Sequence, residues 1–275
     1  MNAIALDQPQ HPDQLAGFAI YITVGLHIMT SLRFDHIVVV GNVNHNATAL
    51  RAAGLVVEDG GRHEADPTHN LLAALDDASY VELIDFSRAW LRPSLRLLSH
   101  TPLWRLLLSG RSLAERVFLS ALTLRSGPVT YAFAVDDLES FVSSAASRGL
   151  VLADPVRMSR LRPDGVRIEW SLAVSPHLDL PFFIQDHTAR LTRLPGTRPK
   201  SPDSVRVLQV AVSNILTTTE RYAALFDTTP TMGSEGASKF QVGGICVEII
   251  QGTTGPTPAI DCELCSGRHL SALLE

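Results

Sequence analysis

The chain has 275 residues, of which 45% are apolar and 19% charged, and a net charge of −5. That is the make-up of a folded globular protein long enough to bury a core without metal or disulfide staples. Mild acidity argues against a nucleic-acid partner, because phosphate binding needs a surplus of cations on one face. Three cysteines, Cys246, Cys262 and Cys265, do not describe a disulfide framework, so a reducing cytoplasm is expected. With His269 they have a zinc-compatible spacing, but Cys262 and Cys265 would face opposite sides of a strand, and buried thiols are the simpler reading.

The apolar run Ala16–Met29 is too short to cross a bilayer core, and no other segment reaches spanning length, so no membrane partner is expected. Asp7 and Asp13 precede it where a signal peptide would carry cations. Residues 1–28 are expected to be an appendage, or the product of an upstream start ahead of Met29.

From there the chain repeats one order of elements. Phe34 to Val40 reads as a strand, Ala47 to Ala53 as a helix stopped by Gly54, and Leu55–Val57, His69–Leu75 and Tyr80–Phe86 as three more strands. The βαβββ order returns with a strand at Tyr131–Val135 and a helix at Leu138–Arg148 capped by Asp136-Asp137. Strands at Leu150–Ala153, Val166–Val174 and Pro181–Gln185 complete that unit. It returns more weakly from Val205, with a strand to Val212, a helix at Ile215–Phe226, and strands at Phe240–Gln251 and Ile260–Cys265. Between the first two units lies a helical insertion, residues 86–126, with Arg88, Arg92 and Arg96 in one stripe. A flank packed on the domain is favoured there over a membrane-surface helix. The expected domains are 29–190 for the paired units, 191–204 for a Pro-rich linker, and 205–275 for a third, partial unit. The fold class is α+β, with repeated βαβββ units forming an open, curled mixed β-sheet barrel with flanking helices.

Several short segments in this order resemble the glyoxalase-like proteins of the vicinal oxygen chelate superfamily. They are Phe34-Asp35-His36-Ile37-Val38, Gly60-Gly61-Arg62-His63, Thr68-His69-Asn70 and Tyr80-Val81-Glu82-Leu83-Ile84. The second unit adds Arg160-Leu161-Arg162-Pro163-Asp164-Gly165, Trp170 and Leu180-Pro181-Phe182-Phe183-Ile184. The resemblance implies sheets curled around a cavity, and metal ligands on the first and last strands of each unit that hold two vicinal oxygens of a substrate. Reactions of the superfamily include isomerisation, ring-cleaving dioxygenation, epimerisation and epoxide opening, while other members, among them bleomycin-resistance proteins, only sequester an antibiotic.

On this resemblance His36 and Glu82 stand at the first unit's ligand positions, and both suit Zn, Mn, Fe or Ni. A buried His36–Glu82 hydrogen-bonded pair without metal is the alternative. The second unit departs from the pattern. Thr130 or Tyr131 takes one ligand position, and Gln185, a weak neutral donor, is the counterpart of Glu82, so a divalent ion would be held weakly and at partial occupancy. Glu82 is the catalytic candidate; Asn70, Tyr80, Arg160, Arg162, Trp170 and Phe182 are candidate substrate contacts. Two functional readings stay open. One is metal-assisted lyase, isomerase or dioxygenase chemistry on a small oxygenated metabolite; the other is non-catalytic binding of an aromatic or antibiotic ligand between Trp170, Phe182 and Tyr80. The third unit's apolar sheet face must be covered, either by a homodimer through residues 205–265 or by the first two units.

Overall fold

The computed structural model describes residues 32–63, 68–88, 90–194, 201–252 and 257–275; the appendage expected at residues 1–28 lies outside them. The first unit runs β1 (Arg33–Val40), α1 (Val43–Ala52), β2 (Val57–His63), β3 (Thr68–Ala74) and β4 (Tyr80–Phe86). The insertion folds as α2 (Leu91–Leu98), α3 (Pro102–Leu108) and α4 (Leu113–Leu124). The second unit is β5 (Gly127–Ala134), α5 (Leu138–Ser147), β6 (Val156–Leu161), β7 (Arg167–Ala173) and β8 (Phe182–Asp186), followed by the short α6 (Arg190–Arg193). Then come β9 (Val205–Val212), α7 (Ile215–Phe226), β10 (Thr231–Met232), β11 (Ser238–Val242), β12 (Ile245–Gln251), β13 (Ala259–Leu264) and α8 (Leu270–Leu273).

Each unit starts its helix with the same device. Asn42, Asp137 and Asn214 accept a hydrogen bond from the backbone N–H three residues on, at His45, Ser140 and Thr217, which satisfies a donor that the helix leaves open.

Eight strands curl into a barrel in the order β1-β4-β3-β2-β6-β7-β8-β5. Within each unit the first and last strands run parallel, β1 with β4 and β5 with β8, and the two units meet antiparallel at β1–β5. The opposite seam, β2–β6, is thin: among the described residues only Arg62↔Leu161 and His63↔Arg160 pair across it. Side chains alternate across the sheet, so one apolar set fills the barrel interior with Val38, Val40, Trp170, Phe182 and Ile184. The other set, with Ile37, Val39, Tyr131 and Phe133, packs outside against helices and the third unit.

Two strand positions differ from expectation. Leu150–Ala153 is extended but joins no ladder, because the ladder of β6 begins only after Pro155, at Val156. The second strand is displaced to Val57–His63. Phe240–Gln251 is a hairpin, β11–β12, turned at Gly243-Gly244 with φ of +60° and +88°.

The third unit, expected to be partial, follows the βαβββ order with only two residues in its second strand, β10. Its sheet order β10-β11-β12-β9-β13 keeps β9 parallel to β12 and adds β13 antiparallel at the far edge of β9. Its apolar face lies on the outside of the barrel: Phe34 N–H donates to Gly243 O at 2.8 Å, Phe133 and Phe226 rings meet at 5.3 Å, and the Tyr131 and Tyr222 hydroxyls bond to each other. The face that motivated a homodimer is therefore covered within the chain. Cys262 is buried, Cys246 half-buried and Cys265 exposed. Cys246 is on β12, Cys262 on β13 and Cys265 in the turn that follows it, and among the described residues no three His, Cys, Asp or Glu side chains gather to hold a metal.

Candidate functional site

A cavity of about 90 Å³ lies inside the barrel. One wall is β1 and β4, carrying His36, Tyr80 and Glu82; the facing wall is β5 to β8, with Thr130, Met158, Arg160, Trp170 and Phe182. Helix α4 closes the mouth with Phe118, Ala121 and Leu122. The insertion is thus a lid on the domain.

The His36 side of the cavity depends on an irregularity in β1. Strand alternation alone would place Phe34, His36, Val38 and Val40 on one face. Instead, Phe34 pairs with Phe133 and His36 with Ala132, so Asp35 is an extra residue with no partner on β5. This bulge sends Phe34 into the outer core and leaves His36, Val38 and Val40 facing the cavity, a re-aiming that bulges commonly produce.

Asp35, fully buried, is the hub of an ionic network. Arg193 grips it with both guanidinium nitrogens, at 2.7 and 3.0 Å, Arg190 adds a further hydrogen bond, and His36 Nδ1 lies 2.6 Å from Asp35 Oδ2. Arg193 also reaches Asp186 Oδ2 at 3.1 Å. Burial alone would raise the Asp35 carboxyl, but Arg193, His36 and Arg190 outweigh it and hold the pKa well below the usual carboxylate range.

His36 stands between two carboxylates. Its Nε2 is 3.4 Å from Glu82 Oε2, and its ring stacks on Tyr80 at 4.6 Å and meets Phe182 edge-on at 5.3 Å. Burial disfavours the imidazolium, yet the hydrogen bonds to Asp35 and Glu82 prevail and raise its pKa above 6.5. Asn70 Nδ2 donates to Glu82 Oε1 at 2.5 Å. Burial pushes the Tyr80 hydroxyl far up, so it stays protonated.

Because the folded pKa of His36 is raised, its contribution to stability is complete below about pH 6.5 and fades as pH climbs through the folded value. Urea unfolding should therefore show a loss of stability as the pH rises above about 6.5, a loss that His36→Gln abolishes. A wild-type profile that rises there would contradict the assignment.

Of the residues read from sequence, the structure brings His36, Tyr80, Glu82, Arg160, Trp170 and Phe182 to this cavity, with Asn70 against Glu82. Two are placed elsewhere. Gln185 lies on the opposite face of β8 from Phe182 and Ile184; its side chain donates to Asp136 O and accepts from Leu138 N. Alignment with Glu82 by sequence alone missed the parity of that strand. Arg162 is tied to Thr192 O and Asp164 outside the cavity, because it lies past the end of β6, where the alternation that turns Arg160 inward no longer holds. Arg160, which could as well have been a solvated hairpin arginine, is almost wholly buried. Its Nη2 donates to Arg193 O at 2.6 Å, and its Nε is buried with no partner among the described residues. Burial lowers its pKa, though not from the guanidinium range that keeps it charged.

Sequence reading missed Asp35, Asp186, Arg190, Arg193 and the lid residue Phe118. Asp35 had a signal, a charge inside the apolar run Phe34–Val40. Arg190 and Arg193 had none: Arg190 is the last residue of the expected paired-unit domain, and residues 191–204 read as a linker.

The donor set does not fit a resident divalent ion. Metal sites of this type take three or more protein ligands, whereas the other polar side chains lining this cavity, Thr68, Tyr80, Thr130, Arg160 and Arg193, add no His, Cys, Asp or Glu to His36 and Glu82. Among the described residues, no three His, Cys, Asp or Glu side chains gather in metal-binding geometry. Both imidazole nitrogens face carboxylates, an arrangement that favours a second proton over a metal bond.

Comparison with known proteins follows the fold closely. A family model described as a glyoxalase-like domain matches residues 34–226. The chain belongs to the glyoxalase-like domain family. It is a member of the vicinal oxygen chelate superfamily. Among solved structures, a hypothetical protein from Staphylococcus aureus is similar at 18% identity with a TM-score of 0.62, over 81% of this chain and 87% of that one. A mutant of 4-hydroxymandelate synthase from Streptomyces coelicolor is 12% identical over 84% of this chain and 70% of its own, at a TM-score of 0.44. A methylmalonyl-CoA epimerase in complex with methylmalonyl-CoA is 16% identical over 57% of this chain and 96% of its own, at 0.35. No curated protein sequence matches. The first of these likenesses shows the fold of this glyoxalase-like protein, and its chemistry must be argued from its own cavity.

Proposed function

We propose that this glyoxalase-like protein binds a small, partly apolar molecule bearing a carboxylate beside a carbonyl, and moves a proton at the carbon next to that carbonyl. The observation that carries this reading is the meeting of Arg160, His36 and Glu82 on one cavity otherwise lined by apolar side chains. Arg160 offers a buried cation with an unpartnered Nε, suited to a carboxylate oxygen. Glu82 accepts the proton from carbon, and the His36 imidazolium stabilises the oxygen on which enolate charge develops. Asn70 and the Asp35 network hold the two groups in place. Phe118, Trp170 and Phe182 exclude water and take the apolar end. No step passes through a metal ion.

The sequestration reading shares the cavity and lacks the proton step, so one experiment separates them. Phenylpyruvate combines a carboxylate, a carbonyl with an acidic neighbouring C–H, and an apolar ring. Binding is to be followed by intrinsic fluorescence and exchange of the C–H by NMR in deuterium oxide. Expected are binding that Arg160→Gln weakens by about tenfold or more, and exchange that survives chelator treatment but is lost in Glu82→Gln with binding retained. Binding without exchange would leave a sequestering protein. Equal binding of phenylpyruvate and its methyl ester would remove Arg160 from the site.

A further inference from the structure

The insertion has an outer face that the cavity does not use. Residues 87–126 carry seven arginines and one acidic residue, Glu115, in a chain whose net charge is −5. Helix α2 packs on α4; its Leu91, Leu95 and Leu98 are half-buried, and none of its residues is fully buried. Trp90 and Leu97, seven residues apart and hence on one helical face, are exposed, as are Leu103 and Leu106, three apart on α3. Leu97 and Leu106 stand 74% and 68% exposed, so the apolar surface here is wet. On the same helices and the adjoining α4, Arg88, Arg96, Arg105 and Arg116 are exposed and form no ion pair with any described residue.

We propose that α2 and α3 dock this protein on the surface of a membrane rich in anionic phospholipid. Trp90, Leu97, Leu103 and Leu106 enter the headgroup boundary and the arginines meet lipid phosphates. Indole and leucine side chains interleaved with arginine match the interface of a bilayer, which is apolar below and anionic above. Other occupants match only half of the surface. A nucleic acid would satisfy the arginines and leave the leucines in water. A second copy of this chain would set one cationic patch against another. The helices lie on the membrane rather than across it: among the described residues no helix is long and apolar enough to span one. The reverse side of α4 is the lid of the cavity, so docking would set the mouth of the barrel beside the lipid.

The test is co-sedimentation of the full chain with vesicles of phosphatidylcholine mixed with phosphatidylserine, against pure phosphatidylcholine. Expected is binding to the anionic vesicles alone, falling with added salt, with a blue shift of Trp90 emission that Trp90→Phe removes. Trp104 and Trp170 are already buried and would not respond. Arg96→Gln with Arg105→Gln should weaken binding by about thirtyfold, since each cation near such a surface contributes somewhat under a factor of ten. Leu97→Ser with Leu106→Ser should also weaken it, and both variants should melt like wild type because the residues are exposed. Four outcomes overturn the proposal. They are no binding, equal binding to both vesicle types, equal retention on mixed-sequence RNA, and binding that both double variants keep, as the apolar run Ala16–Met29 would produce. A doubled mass in solution that Leu97→Ser/Leu106→Ser abolishes would identify a second copy as the occupant instead.

Discussion

Asp35→Leu is expected to lower stability by about 3–5 kcal/mol, because removing one member of a buried ionic network strands the others. Arg193 is almost wholly buried, and losing Asp35 leaves it with the single carboxylate of Asp186 at 3.1 Å. His36 keeps only Glu82. At this chain length the change corresponds to a fall in Tm of about 6–20 °C. Adding Arg193→Met should restore most of the loss, since replacing a buried pair by apolar side chains is often neutral. Arg190, partly exposed, can turn to solvent. The exposed pair Arg33–Asp136, at 3.2 Å, is the control: breaking it should cost no more than about 1 kcal/mol. Urea denaturation of the three variants decides the matter. A loss below about 1 kcal/mol for Asp35→Leu would mean that the network stabilises little.

Gly61→Ala is expected to cost about 2–5 kcal/mol, the sum of backbone strain and overpacking. Gly61 has φ of +109°, and a Cβ there would sit 2.2 Å from the Leu161 carbonyl oxygen. That oxygen belongs to β6, across the seam held by two residue pairs. The methyl group must therefore push the two units apart where the barrel closes most thinly, one residue from Arg160. Gly54→Ala is the comparison: its φ is +87° but nothing lies within 4 Å of the added atom. Backbone strain alone should cost about 1–2 kcal/mol there. If the two substitutions unfold at the same urea concentration, the seam tolerates the intrusion and is looser than described. Arg160 stands at the same seam, so Gly61→Ala should also weaken carboxylate binding while Gly54→Ala leaves it intact.

What the sequence by itself determined is the architecture. Apolar periodicity located β4 at Tyr80–Phe86, β9 at Val205–Val212 and α7 at Ile215–Phe226 on the observed bounds. The recurring order was enough to imply paired units, because a half-buried sheet must find a partner. His36 and Glu82 were legible as lone polar side chains on apolar strands, and such residues must be satisfied inside.

Three things were decided only by tertiary structure. A bulge at Asp35 reset the parity of β1, and parity on β8 turned Gln185 away, since one residue of slip moves every side chain to the other face. The Asp35 network joins Arg190 and Arg193 to a carboxylate 155 and 158 residues earlier, and no local pattern encodes a contact at that separation. The third unit's partner was likewise undetermined, because an apolar sheet face specifies that it must be covered and not by what. Here the covering surface is the outside of β1 and β5, reached because Gly243 lets the β11–β12 turn approach Phe34 and Phe133 within van der Waals contact.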